Sequence, residues 1–174
     1  MDATQPGYLH CGPWKGYAWT LATEPDMGST ISPSDFSSAS KLPLCASGTL
    51  GRVDSAVGLL GFNVNQAAGE DSLEDTWTVT GTGIGYELDN PGASPVRIQI
   101  QGAAGYPDET WCAEISGTHS GTVAWSTFSQ SCWWPSTGPF YDGQVPLQKV
   151  MLLVPGANGV ELSFDLCLIG LYPY

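Results

Sequence analysis

Between Val96 and Gln101 apolar and polar residues alternate without a break, Val-Arg-Ile-Gln-Ile-Gln. In an extended chain this puts Val96, Ile98 and Ile100 on one side and Arg97, Gln99 and Gln101 on the other, so the segment is predicted as a strand with one polar face. The run from Gly61 to Gln66 repeats the arrangement, with Phe62 and Val64 on one side and Asn63 and Asn65 on the other. Further strands are predicted over 16–23, 46–53, 57–65, 76–80, 83–88, 110–115, 122–128, 149–154 and 160–168. Pro25, Pro33 and Pro43 forbid regular helix in the loop from about Glu24 to Leu44, which is long enough to be a binding loop. Asp89-Asn90-Pro91-Gly92, Ala104 to Asp108 and Pro155 to Gly159 supply the turn residues between the later strands.

Short strands at this spacing predict an all-β fold, a two-sheet antiparallel β-sandwich of jelly-roll type. The chain is longer than the ~100 residues of an immunoglobulin fold and shows no repeat that would build a propeller or solenoid. Carrying period 2 through the strands predicts a core of Leu60, Phe62, Val64, Ile84, Tyr86, Leu88, Val96, Ile98, Ile100, Trp111, Ala113, Ile115, Leu162, Phe164 and Leu166. The opposite set holds Asn63, Asn65, Glu87, Arg97, Gln99, Gln101, Glu114, Ser163 and Asp165. On a concave sheet face that set would make a shallow polar groove, with Arg97 ion-paired to Glu114 or Asp165.

Composition narrows the reading. Residues 1–174 are read as one domain, with 1–12 a linker or frayed end. There are 22 Gly and 13 Pro but only 13% charged residues, which favours turns over surface helices. With 17 acidic and 5 basic side chains the net charge is -12, a field that repels nucleic acid and anionic lipid. No apolar run reaches the ~18–20 residues of a membrane helix, and the first residues lack the regions of a signal peptide. A secreted form would already have lost its signal.

Of the five cysteines, Cys112 and Cys132 are the predicted disulfide, worth about 3 kcal/mol on chain-entropy grounds. A second bridge among Cys11, Cys45 and Cys167 is left open. Disulfides place the chain in an oxidising compartment, with buried thiols in a cytosolic protein as the alternative. The cysteine spacing does not suit structural zinc. A structural calcium ion is compatible with a jelly roll, and Glu70, Asp71, Glu74 and Asp75 are equally a solvated acidic loop.

Amides and a guanidinium on a sheet face suit sugar hydroxyls, because they donate and accept in fixed planar geometry without the charge density that draws phosphate or metal. Seven Trp and seven Tyr can supply stacking surfaces. Trp77, Trp111 and Trp125 are assigned to the core, whereas Trp14, Tyr17, Trp19, Tyr106 and Tyr141 lie near loops. Trp133 and Trp134 are adjacent and point opposite ways in extended chain, so one of them faces outward or into a groove. His10 and His119 sit in no nucleophile motif, and no carboxylate pair stands out for glycoside hydrolysis.

Taken in order, Gly16 to Thr20, Leu59 to Gln66, Arg97 to Gly102, Trp111-Cys112-Ala113, Cys132-Trp133, Leu153 to Gly156 and Phe164 to Cys167 resemble the β-jelly-roll carbohydrate-binding modules joined to secreted bacterial glycoside hydrolases. The resemblance runs from about Gly16 to Leu168. It implies a secreted, extracellular, non-catalytic module that holds a catalytic domain on plant cell-wall polysaccharide, with the ligand across a concave face and calcium in many relatives. The contact role it carries falls on Asn63, Asn65, Arg97, Gln99 and Glu114. Trp134 and the Cys11 segment depart from the pattern.

The expected function is binding of a β-glucan, cellulose-like glycan or related hemicellulose by a monomer, without chemistry. Its ligand set is Asn63, Asn65, Arg97, Gln99, Gln101, Glu114, Asp165, Trp134 and Tyr141. The alternatives are a small β-sandwich glycoside hydrolase or polysaccharide lyase working through Glu87, Glu114 or Asp165, and a surface adhesive or structural protein.

Overall fold

In the computed structural model, which describes residues 2–39, 42–69, 75–115, 119–130, 132 and 138–174, two antiparallel sheets stack face to face. In chain order the strands are β1 (Asp2–Gln5), β2 (Tyr8–Cys11), β3 (Trp14–Ala22), β4 (Thr30–Ser32), β5 (Leu44–Leu50) and β6 (Val57–Asn63). They continue with β7 (Gly83–Asp89), β8 (Val96–Gly102), β9 (Thr110–Ile115), β10 (Ser120–Ala124), β11 (Leu147–Pro155) and β12 (Leu162–Pro173). One sheet runs β1-β2-β3-β6-β11-β8-β9 and the other β10-β7-β12-β5-β4. From β6 onward the chain crosses repeatedly between the layers, the connectivity of a jelly roll.

The period-2 reading of the faces explains the core. Phe62, Ile98, Ile100, Ile84 and Leu88 are fully buried between the sheets, with Leu60, Val64, Val96, Trp111, Ala113, Ile115, Tyr86, Phe164 and Leu166 around them. Leu162 is partly buried against this cluster. Among the described residues no helix is long and apolar enough to cross a membrane.

Several sequence expectations change. Residues 1–12, read as a linker or frayed end, instead contain the hairpin β1–β2, which continues the larger sheet through the pairing of β2 with β3. Leu9 and Cys11 bury their side chains there, and that burial holds the hairpin down. The strand expected over 76–80 reduces to a single bridge between Trp77 and Leu147, with the Trp77 ring edge-on to Trp14 at 5.4 Å. Indole packing there takes the place of a ladder. The strand expected to run to Phe128 stops at Ala124, and a 3-10 turn over Trp125–Thr127 follows. β12 runs past Leu168 to Pro173 because a bulge between Leu168 and Gly170 absorbs the misfit and restores pairing with β7. The loop after β3 carries a 3-10 turn, Pro25–Met27, and the short edge strand β4.

Two disulfides cross-link the strands. Cys112–Cys132 is the predicted bridge, and Cys45–Cys167 joins directly opposed residues of β5 and β12. Cys45, Cys112 and Cys167 alternate with core residues along their strands, so both bridges sit on outer faces of the sandwich.

Candidate functional site

The outer face of the seven-stranded sheet is organised in cross-strand rows. One row reads Trp19, Gly61, Met151, Gln99, Cys112, and the next reads Leu21, Leu59, Leu153, Arg97, Glu114. β6 and β11 lie at the centre of the sheet and carry aliphatic residues outward as well as inward. Val57, Leu59, Met151 and Leu153 form a second buried apolar cluster, separate from the core, with Trp19 packed against it. This cluster is the floor of a groove of about 1040 Å³.

The two walls differ in chemistry. β3 supplies Trp19 and Leu21, an aromatic and aliphatic side that Thr23 continues just past the strand, while β8 supplies Arg97, Gln99 and Gln101. Tyr106, in the β8–β9 loop, stands 70% exposed at the Gln101 end. From Pro95 to Gln101 the wall is about 20 Å long, and three strand spacings separate the walls by about 14 Å.

Trp19 is seated by its neighbours. A methyl at Gly61 would lie 2.6 Å from Cζ2 of the indole and 2.7 Å from Cγ of Met151, so only glycine lets the ring lie down on β6. Indole Nε1 donates to Oδ1 of Asn63 at 3.2 Å. Asn63 Nδ2 in turn donates to Oε1 of Gln66 at 2.7 Å, and that oxygen also accepts the Tyr17 backbone N–H at 3.2 Å.

On the opposite wall Arg97 donates to the Cys132 carbonyl and pairs with Glu114 at 3.1 Å. Among the described residues Gln99 has only sulfur within reach of its amide, Met151 Sδ and Cys112 Sγ, each at 3.7 Å. Among the described residues the Gln101 amide makes no hydrogen bond. Sulfur is a weak partner, so these two half-buried amides keep donor and acceptor capacity for another molecule. Asp54, the carboxylate on the groove, is engaged by Asn158, whose Nδ2 donates to Asp54 Oδ2 at 3.1 Å and whose Oδ1 accepts the Asp54 N–H at 3.3 Å.

The sequence-predicted residues divide accordingly. Arg97, Gln99, Gln101 and Glu114 share this face, and Asn63 shares it as a buried residue beneath Trp19. Asn65 lies past the end of β6, where its amide donates to the Thr76 carbonyl at 2.9 Å. Asp165 faces outward from the other sheet, opposite Ser47, so it takes no part in the Arg97 ion pair. Tyr141 is buried against Trp111, with ring centroids 4.9 Å apart, and its hydroxyl donates to the Val145 carbonyl at 2.5 Å. Burial, with the Asp142 charge adding, pushes its phenol far above the ordinary tyrosine range. The segment from Phe140 folds back under β9, so Tyr141 is a core residue rather than a ligand contact. Trp134 lies outside the described residues, as do Glu70, Asp71 and Glu74 of the calcium expectation. Among the described residues no three His, Cys, Asp or Glu side chains gather as metal ligands.

Period 2 did not reveal the floor. Val150 to Val154 is a continuous apolar run, and such a run marks a strand covered on both faces, which was the available signal for Met151 and Leu153.

No protein-family model and no curated protein matches the chain. Among solved structures it is similar to the family 11 carbohydrate-binding module of the cellulosomal cellulase Lic26A-Cel5E of Clostridium thermocellum, at 14% identity and a TM-score of 0.47, over 98% of this chain and 95% of that one. It is similar to the family 11 module from Clostridium thermocellum in complex with a β-1,3-1,4-mixed-linked tetrasaccharide, at 12% identity and a TM-score of 0.45, over 99% and 98%. A third likeness, to the solution structure of CtCBM11, has 14% identity and a TM-score of 0.43 over 97% and 98%. The first two of these structures are carbohydrate-binding modules by description, and the sandwich described above rests on the strand pairing of this chain alone.

Proposed function

We propose that the chain is a non-catalytic module that binds a neutral, β-linked polysaccharide along the groove of the seven-stranded sheet. The observation that carries this reading is the pairing of an aromatic wall, Trp19, with an amide wall, Gln99 and Gln101, across an apolar floor. A pyranose ring has an apolar C–H face and a hydroxylated edge, and a groove with one wall of each kind meets both at once. The length of the β8 wall, about 20 Å, suits several consecutive sugars.

A β-glucan or related hemicellulose is the proposed ligand, because the net charge of -12 disfavours an acidic chain. Two disulfides suit an oxidising, extracellular setting, in which the module would serve a catalytic domain. Geometry also weighs against a hydrolase that pairs Glu114 with Glu87 or Asp165. Glu114 belongs to one outer face and Glu87 and Asp165 to the other, so a layer of side chains ~10 Å thick separates the sheets that carry them. Carboxylates that flank one glycosidic bond stand within about 5 to 9.5 Å of each other.

Affinity electrophoresis in gels containing β-glucan, xyloglucan, glucomannan, xylan or no polymer, with reducing sugar assayed on the same samples, tests the reading. Retardation without released sugar is expected. Released sugar would turn the reading to an enzyme, and neither effect would favour a protein-contact role.

A further inference from the structure

We infer that Asn63 serves the groove as a positioning residue, fixing the plane of the Trp19 indole, and is not itself a contact for the ligand. The inference rests on the groove reading above and assigns one of its residues a different job from the one its place on the polar face suggests.

Asn63 is only 4% exposed, and both ends of its amide are engaged inside the protein. The orientation of that amide is dictated by a chain of partners. The Tyr17 N–H can only donate, so the Gln66 group facing it is the oxygen. That oxygen calls for a donor from Asn63, so Asn63 turns its NH2 to Gln66 and its oxygen to the indole N–H. Every link has one self-consistent assignment, which makes the relay a fixed bracket. The Tyr8 hydroxyl adds a tie to the Gln66 carbonyl at 2.6 Å, anchoring the bracket to β2.

The bracket grips one edge of the indole, and Gly61 lets the adjoining six-membered ring lie against β6. Trp19 is thereby held half-buried on the groove with its rotamer already chosen. A stacking ring ordered in advance loses less entropy when the ligand arrives, so Asn63 would raise affinity without touching sugar.

The test combines a double-mutant cycle with the indole N–H resonances of 15N-labelled protein, the Trp19 signal being identified by its loss in Trp19→Phe. Asn63→Ala is expected to move that resonance toward the position of a solvent-exposed indole. It should also weaken binding of soluble mixed-linkage β-glucan about fivefold, the scale of one lost hydrogen bond. In a Trp19→Ala background the same change should have no further effect on binding. An equal loss in both backgrounds would make Asn63 a direct contact and overturn the inference, as would an unmoved indole resonance. Gly61→Ala displaces the ring without altering either amide, and it should reproduce both effects even if Asn63→Ala fails to fold. If the wild-type protein retains no neutral glycan, the groove reading fails by itself, and the indole shift alone decides whether Asn63 sets the ring.

Discussion

The outer faces of the two sheets follow the same alternation and become different surfaces. On the five-stranded sheet Tyr172 lies over Gly85, where a methyl would come within 2.5 Å of the ring, and it stays 47% exposed on the face that also carries Glu87 and, further along β12, Asp165. On the seven-stranded sheet Trp19 lies over Gly61 in the same manner, but against Val57, Leu59, Met151 and Leu153. A ring covering a glycine is a common device of β-sheets and marks no site by itself. What separates the faces is the residue type at outward positions of the central strands. β6 and β11 place Val57, Leu59, Met151 and Leu153 there beside Gly61, Asn63 and Lys149, whereas β7 and β12 place mostly Gly, Glu, Ser and Asp there, with Cys167 and Tyr172. The first choice makes a floor on which a ring and two amides become walls.

Each outer face also carries one disulfide, and removing them in turn gives the largest expected effects. Cys45–Cys167 spans a sequence separation of 122 and Cys112–Cys132 one of 20, which correspond to about 5 and about 3 kcal/mol of chain entropy. Replacing the first pair with alanine should therefore lower stability to urea more, yet leave glycan retardation of the folded protein intact. Replacing the second should cost less stability but weaken retardation, because Cys132 offers the carbonyl that Arg97 grips beside the groove. Equal loss of binding in both variants would erase the distinction between the faces. Next in size, Trp19→Ala should weaken binding by about 2 kcal/mol, roughly thirtyfold, as for a central aromatic anchor. Tyr172→Ala should leave it unchanged, and a matching loss there would show the five-stranded face to be a second binding surface.

Much of the sandwich was legible because alternation encodes which side chains meet between the sheets. The predicted core from Leu60 to Leu166 is buried, Leu162 only in part, since each of those strands has at least one face that must be apolar. Alternation does not encode which sheet a strand joins. Asp165 and Glu114 have the same relation to their neighbours in sequence, yet pairing with β5 puts one on the far side of the molecule from the other. Nor does it encode burial of an outward residue by a neighbouring strand, and so Asn63 reads as a surface amide although Trp19 covers it. Tyr141 was misread because the segment after Pro139 carries no regular pattern, and its burial depends on the Phe128 and Ser129 bridges that draw it under β9. The N-terminal hairpin lacked a clean period too, with Gly7 and Gly12 close to every apolar residue it contains.

A smaller effect sharpens the comparison at the amide wall. Gln99→Ala and Gln101→Ala should each weaken binding about fivefold, the worth of about one net hydrogen bond. Both should melt close to wild type, because neither amide has a strong partner within the protein. Asp165→Ala on the other face should change neither quantity. A melting temperature that falls with Gln99→Ala would instead mean that its sulfur contacts hold the sheet together.

The smallest expected effect is that of salt, and it separates a hydrogen-bonding wall from a charged one. Arg97 is the cation on the β8 wall, and its charge is already offset by Glu114 at 3.1 Å and directed into the Cys132 carbonyl. Raising ionic strength from about 0.01 M to about 1 M shortens the screening length from about 30 Å to about 3 Å. An interaction that depended on Arg97 and Lys149 attracting an anionic chain would collapse over that range. Hydrogen bonds from Gln99 and Gln101 to neutral hydroxyls, and stacking on Trp19, involve no net charge and should change retardation less than about twofold. A tenfold loss would mean that the ligand is acidic and that the two cations, rather than the amides between them, form the working wall of the groove.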